Sequence, residues 1–100
     1  MKPVEIATNV LERLDDLFNY IVNEYKAPET AHNYIEKVND FLQKLGGCFV
    51  LAKCRRKKWY VKGYHCAIFD HRWVFAYQIY DDRVIIHDMD YAANITDIDL

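Results

Sequence analysis

Apolar residues recur in two registers along this 100-residue chain, first with helical spacing and then with strand spacing. Leu11, Leu14, Phe18, Ile21 and Tyr25 return every three or four residues, and Glu12, Arg13, Asp15 and Asp16 fall mainly on the other side. That spacing predicts an amphipathic helix from about Asn9 to Tyr25. Asn9 suits the N-cap position, and Glu12 three residues on would complete a capping box. Lys26–Ala27–Pro28 breaks the pattern. Pro28 suits the first turn of a second helix, where its missing N–H is not needed. Ala31, Tyr34, Ile35, Val38, Phe41, Leu42 and Leu45 then form a broad apolar stripe, and Gly46–Gly47 ends it. The short connection makes the two helices antiparallel neighbours. Ahead of them, Val4–Ile6 reads as a short strand.

From Cys48 the helical period is lost. The stretch FVLAKCRRKKWYVKG mixes apolar and basic residues and reads as an irregular approach to a strand near Tyr64–Phe69. Asp70–His71 is a turn candidate. Trp73–Tyr80 and Arg83–Met89 then form a β-hairpin around an acidic turn at Asp81–Asp82, a less favourable turn than Asn-Gly. Trp73, Phe75, Tyr77 and Ile79 share one face of the first hairpin strand, and Val74 and Ala76 share the other. A strand apolar on both faces belongs in the centre of its sheet, covered by helices on at least one side. The expected fold class is α+β: an N-terminal helical hairpin on a twisted antiparallel sheet of three to four strands, as one domain spanning residues 1–100. The acidic tail, DYAANITDIDL, is expected to fray.

Composition narrows the reading without naming a chemistry. The chain is 52% hydrophobic with three glycines and two prolines, which suits one packed core and argues against linkers. No apolar run reaches the ~18 residues of a membrane span. MKPVEIATNV has no signal-peptide core, so a cytoplasmic location is expected. The three cysteines, Cys48, Cys54 and Cys66, are odd in number and irregular in spacing, and reduced, partly buried thiols are the expectation. A zinc site from these cysteines and His65 lacks any CxxC pair, so neither metal nor cofactor is expected. The net charge of −2 conceals a polarity. Residues 1–47 carry 5 basic and 8 acidic side chains, residues 48–72 carry 7 and 1, and residues 73–100 carry 1 and 6. The middle of the chain could therefore hold a polyanion although the whole could not.

The helical pair ending in LGG, the basic CRRKK segment, and the hairpin WVFAYQIYDDRVIIHDM together resemble the RelE/ParE superfamily. These are toxins of bacterial type II toxin–antitoxin (plasmid stabilisation) modules. The resemblance covers about Val4 to Ala93. It implies a helical hairpin on a twisted antiparallel sheet and a cognate antitoxin wrapped around the toxin. Tyr64, Ile68, Phe75 and Ile85 lie on strands that alternate poorly, so an edge and the face of the sheet opposite the helices are expected to stay uncovered and apolar, to take a partner chain, and to self-associate without it. The resemblance also implies one of two modes of action. ParE-like members poison DNA gyrase and have no hydrolytic site. RelE-like members cut messenger RNA on the ribosome without a metal. Some members have lost toxicity and keep the fold as an interaction domain. Many members end the last strand with a His and, a few residues on, an Arg, where this chain has Asp90 and Ala93. Tyr91 stands beside them and could replace the C-terminal Tyr of the ribonucleases. This departure, the acidity and the long helical pair favour a target-binding toxin over an enzyme.

Each candidate residue has two readings. Arg55, Arg56, Lys57 and Lys58 either grip phosphates or an acidic partner segment, or form the solvated face that charge runs usually are; their setting beside Trp59 and Tyr60 sets the two readings level. Arg72 and Arg83 flank the hairpin and could stabilise a phosphorane, with plain solvation as the alternative. His65, His71 and His87 could shuttle protons in RNA cleavage, because an unperturbed imidazole titrates near ~6.5. The bland alternative is a hydrogen-bonded His on a sheet face. If the chain is a ribonuclease, His65, His87 and Tyr91 are its candidate catalytic residues. Tyr64, Trp73 and Tyr77 could stack bases or simply fill the core. Asp88, Asp90, Asp97 and Asp99 show no hard-cation loop pattern and read as solubilising charge.

Overall fold

A computed structural model describes residues 1–47 and 52–94. Cys48 and the tail from residue 95 on lie outside the described residues. The elements are β1 (Val4–Ile6), α1 (Thr8–Tyr25), α2 (Pro28–Lys44), a 3-10 turn (Leu45–Gly47), a one-turn helix α3 (Lys57–Tyr60), β2 (His65–Phe69), β3 (Trp73–Ile79), β4 (Val84–Tyr91) and a closing 3-10 turn (Ala92–Asn94). The fold is α+β, a helical hairpin followed by a sheet of order β1-β4-β3-β2. β2, β3 and β4 are antiparallel, as the hairpin pattern predicts. β1 is parallel to β4, pairing Val4 with Val84, so the sheet is mixed. A three-residue strand carries no sign of a partner eighty residues away, and the sequence pattern could not supply its direction.

β3 is central, and its two faces are covered by different layers. Trp73, Phe75 and Tyr77 pack with Val10 and Leu14 of α1 and Val38 and Leu42 of α2 in the main core. Val74 and Ala76, on the opposite face, pack with Cys54 and Trp59 in a second, smaller core. The expectation of an uncovered outer face is thus corrected: the segment from 52 to 64 lies over it as a cap, with α3 inside what reads as an irregular approach. Phe75, expected at the surface, is fully buried, while Ile68 of β2 is 59% exposed.

Helix α1 buries Val10, Leu14 and Ile21, with Leu17 packed against the core, so Leu14 and Ile21 of the expected stripe are buried as predicted. Val10 and Leu17 take the core places expected of Leu11 and Phe18, one residue away in each case. Leu11 and Tyr25, 50% and 66% exposed, fall off the buried side. Asn9 is not the N-cap. Ala7 takes that position without a side-chain cap, and Asn9 Nδ2 instead donates to the His87 carbonyl at 3.0 Å. The reason lies in the length of β1. It pairs only as far as Ile86, and the remaining carbonyls along that edge of β4 need donors. Ala7 N–H meets the Ile86 carbonyl, Asn9 the His87 carbonyl, and Arg13 the Met89 carbonyl.

Pro28 opens α2 as predicted. Lys26 closes α1 in the left-handed region at φ 48°, a place that glycine usually takes. Gly46 serves a close approach: a Cβ there would lie 2.1 Å from the Lys2 carbonyl oxygen. Asp70 and His71 form the β2–β3 turn with φ of 56° and 54°, the paired positive values of a primed hairpin turn. At the β3–β4 end, Tyr80 N–H donates to the Arg83 carbonyl at 2.7 Å, closing the loop over Asp81 and Asp82.

Candidate functional site

The basic run is mounted on the cap over the outer face of the sheet. Cys54 and Cys66 are joined by a disulfide, which corrects the expectation of free thiols and removes both from any zinc site. Odd cysteine counts hide such a pair, because spacing alone does not say which residues meet. The bond ties the start of the cap to β2. Two backbone hydrogen bonds, Cys54 N–H to the Tyr64 carbonyl and Cys66 N–H to the Ala52 carbonyl, hold the same junction. Between the cysteines lie Arg55, Arg56, Lys57, Lys58 and Lys62.

Trp59 anchors the cap. Its ring is buried against the second core, its Nε1 donates to Asp88 Oδ2 at 3.0 Å, and the Arg56 guanidinium lies 4.9 Å from its centroid. Arg56 itself reaches Asp90 Oδ2 at 2.6 Å and the Asn94 carbonyl at 3.1 Å. Arg13 approaches the same two carboxylates from α1, at 3.8 Å from Asp88 and 3.6 Å from Asp90, and Lys58 stands 3.8 Å from Asp88. Burial alone would raise the pKa of Asp90. Hydrogen bonds from Asn94, Arg56 and the Tyr91 N–H, with the Arg56 charge, outweigh it and hold the carboxyl below its ordinary value. Asp88 and Asp90 were expected to be solubilising charge; they are the acidic centre that fastens the cap. Arg56 accordingly has a structural role as well as a charge, while Lys57, Lys58 and Asn94 border a shallow hollow of about 370 Å³ beside it.

The remaining candidates are dispersed. His87 lies at a β-bulge, where the β3–β4 register jumps between Ala76 and Tyr77. Tyr64 stacks on it at 4.7 Å and Tyr80 Oη sits 3.1 Å from its Nε2. Burial, then the neighbouring Lys62, lowers its pKa and favours the neutral ring. Tyr91 is four residues further along β4, roughly 13 Å at strand rise, and stacks on Trp73 on the helical side. His65 is two strands from His87, its ring 5.8 Å from Tyr77, with Nδ1 unpaired among the described residues. Arg83 pairs with Glu5 at 3.1 Å, joining the hairpin turn to β1, and Arg72 approaches Asp70 at 3.9 Å. Of the base-stacking candidates, Trp73 and Tyr77 are core residues. Among the described residues no cluster of three metal-ligating side chains occurs, and no helix is long and apolar enough to cross a membrane.

Compared with family models, curated proteins and solved structures, the chain matches none.

Proposed function

We propose that this chain is a cytoplasmic toxin of RelE/ParE type, held inactive by a cognate antitoxin, that stops growth by binding a target such as DNA gyrase. The observation that carries this reading is the cap: five basic residues gathered between two cysteines and fastened over one sheet face. A fold of this size does not need its cations concentrated on one small surface element. The helical hairpin and the three antiparallel strands agree with the architecture the resemblance implies. Binding is favoured over RNA cleavage because His65, His87 and Tyr91 occupy three separate neighbourhoods, whereas proton transfer needs groups within hydrogen-bond reach of one reacting phosphate.

The test is induced expression in a bacterial host without the neighbouring gene. Growth arrest is expected, with inhibited supercoiling by purified gyrase and intact messenger RNA. Lys53→Gln with Lys57→Gln and Lys62→Gln should relieve the arrest without unfolding the protein; Arg56 and Lys58 are left alone because they reach the carboxylates that fasten the cap. Arrest that persists in the triple variant would remove the basic surface from the mechanism, and cleaved messenger RNA would establish the ribonuclease reading instead.

The disulfide favours a second reading, an interaction domain without toxicity. Disulfides persist mainly in oxidising compartments. Alkylation of thiols in intact cells followed by mass spectrometry decides between them: a fully oxidised Cys54–Cys66 pair together with unimpaired growth on induction supports the interaction domain.

A further inference from the structure

We propose that the cleft between the helical hairpin and the β2–β3 turn end of the sheet binds a planar heteroaromatic anion of about nucleoside-monophosphate size. Tyr20 from α1, Thr30 and Tyr34 from α2, and Trp73 and Tyr91 from the sheet line a hollow of about 250 Å³. An adjoining hollow of about 380 Å³ shares Tyr20, Trp73 and Tyr91 and extends along α1 to Arg13 and Asp16. Together they form a groove in the size range of small-molecule sites. It lies on the helical side of the sheet, away from the basic cap, and does not depend on the function proposed above.

Three features define the ligand. First, the walls are π-faces. The β3–β4 register sets Tyr91 opposite Trp73, and their rings stack at 4.2 Å. Tyr20, Tyr25 and Tyr91 all remain half-exposed around the opening, although the core needs none of them there. Trp73 is buried beneath Tyr91, so the open faces are those of Tyr20, Tyr25 and Tyr91, and exposed aromatic faces accept any flat ring, sequence-tolerantly. Second, the floor supplies an oriented donor. Trp73 Nε1 donates to Tyr34 Oη at 3.1 Å, so Tyr34 directs its own O–H elsewhere. A tyrosine O–H is protonated at neutral pH in any case, and burial moves the Tyr34 pKa further up. Third, Arg72 stands at the rim. Its side chain is 69% exposed and, among the described residues, is held only by the loose 3.9 Å approach to Asp70. A guanidinium so placed can turn to take a phosphate or carboxylate in a bidentate pair. A ring in the groove and an anionic group on Arg72 describe one molecule.

The experiment titrates the full chain with AMP, adenosine and inorganic phosphate, read by calorimetry and by quenching of tryptophan fluorescence. One saturable AMP site is expected, with adenosine at least tenfold weaker and phosphate alone showing no saturation. Arg72→Gln and Tyr20→Ala, both at exposed positions, should each weaken AMP about tenfold with unchanged circular dichroism. The pair Lys57→Gln and Lys58→Gln should leave AMP binding unaltered. No saturable binding of AMP or UMP at millimolar concentration would overturn the proposal. So would AMP binding that survives both cleft variants, or binding lost with the cap lysines. Adenosine binding as tightly as AMP would overturn the anionic class.

Discussion

If the cap is a packed part of the fold, Trp59→Ala should cost about 3 kcal/mol and should cost the same after the disulfide is reduced. Truncating a buried Trp typically costs about 3–5 kcal/mol. The lower end applies because the cap is one layer thick and water can reach the vacated space. The Trp59 hydrogen bond adds little to the loss, since Asp88 keeps Arg13 and Lys58 within 3.8 Å. The disulfide acts on a different state. Its cysteines are 12 residues apart, and closing a loop of that length in the unfolded chain is worth about 3 kcal/mol in the chain-entropy account. An effect on the unfolded chain and an effect on native packing should add. Together they remove about 6 kcal/mol, within the 5–15 kcal/mol typical of a whole domain, so Trp59→Phe serves as the milder companion. Urea denaturation of wild type and both variants, with and without reductant, provides the cycle. Circular dichroism reports the helices, and in the variants fluorescence reports Trp73 alone. A Trp59→Ala cost below about 1 kcal/mol in the reduced protein would show that the cap lets go when the bond opens. A similarly small cost in the oxidised protein would refute the packing itself.

Three other outcomes are expected. Lys26→Gly should raise stability by about 0.5–1 kcal/mol in the same urea assay, because a side chain at φ 48° is disfavoured and glycine is not. Arg13→Ala should cost about 1 kcal/mol, since it removes the donor to the Met89 carbonyl and a charge beside Asp88 and Asp90, and should speed amide exchange at the end of β4. Asp90 has a lowered native pKa, so its contribution is full above its ordinary value near 3.8 and lost as pH falls through the lower native one; thermal unfolding of wild type should therefore fall more steeply below about pH 4 than that of Asp90→Asn.

What could be read from the sequence follows physical range. Local periodicity placed β1, both long helices and the three later strands, because an apolar spacing of 3.6 or 2 is a property of neighbours. The two-faced apolar pattern of Trp73–Ile79 located β3 at the centre of the sheet. The first errors came where two registers compete. Val10 and Leu11 both fit a helical stripe, and only the sheet decides which is buried. The others came from distant pairing. Asn9 looks like a cap until the β4 edge beside it is known, and Asp88 and Asp90 look like tail charge until Arg56 and Trp59 fold over them. Cys54 and Cys66 bracket a strongly basic segment, but their pairing depends on how that segment turns back along β2. The candidate residues behaved similarly. Arg72, Trp73 and Tyr91 converge on one cleft because strand register brings 73 opposite 91, whereas His65 and His87 were related only by residue type.

Charge that is separated along the chain is recombined in space, and this splits the basic run into two roles. The segment 48–72 is strongly positive and the segment from Trp73 on is strongly negative. Asp88 and Asp90 meet Arg13, Arg56 and Lys58 at the cap, so part of the positive excess is consumed in holding the fold together. Lys53 and Lys62 instead lie over exposed or half-exposed tyrosine rings, at 5.9 Å from Tyr60 and 5.8 Å from Tyr64, and Lys57 faces solvent. Salt distinguishes the two groups. Exposed charges are screened over about 8 Å at physiological ionic strength, and partly buried pairs much less. The side chains of Arg56 and Asp90 are each only 15% exposed. Raising salt should therefore weaken whatever the outer lysines hold while the cap stays in place. Binding that vanishes with salt while Trp59 remains buried by fluorescence would assign recognition to Lys53, Lys57 and Lys62. Simultaneous loss of both would mean that Arg56 and Asp90 are not the fastening, and that the basic run acts as one undivided surface.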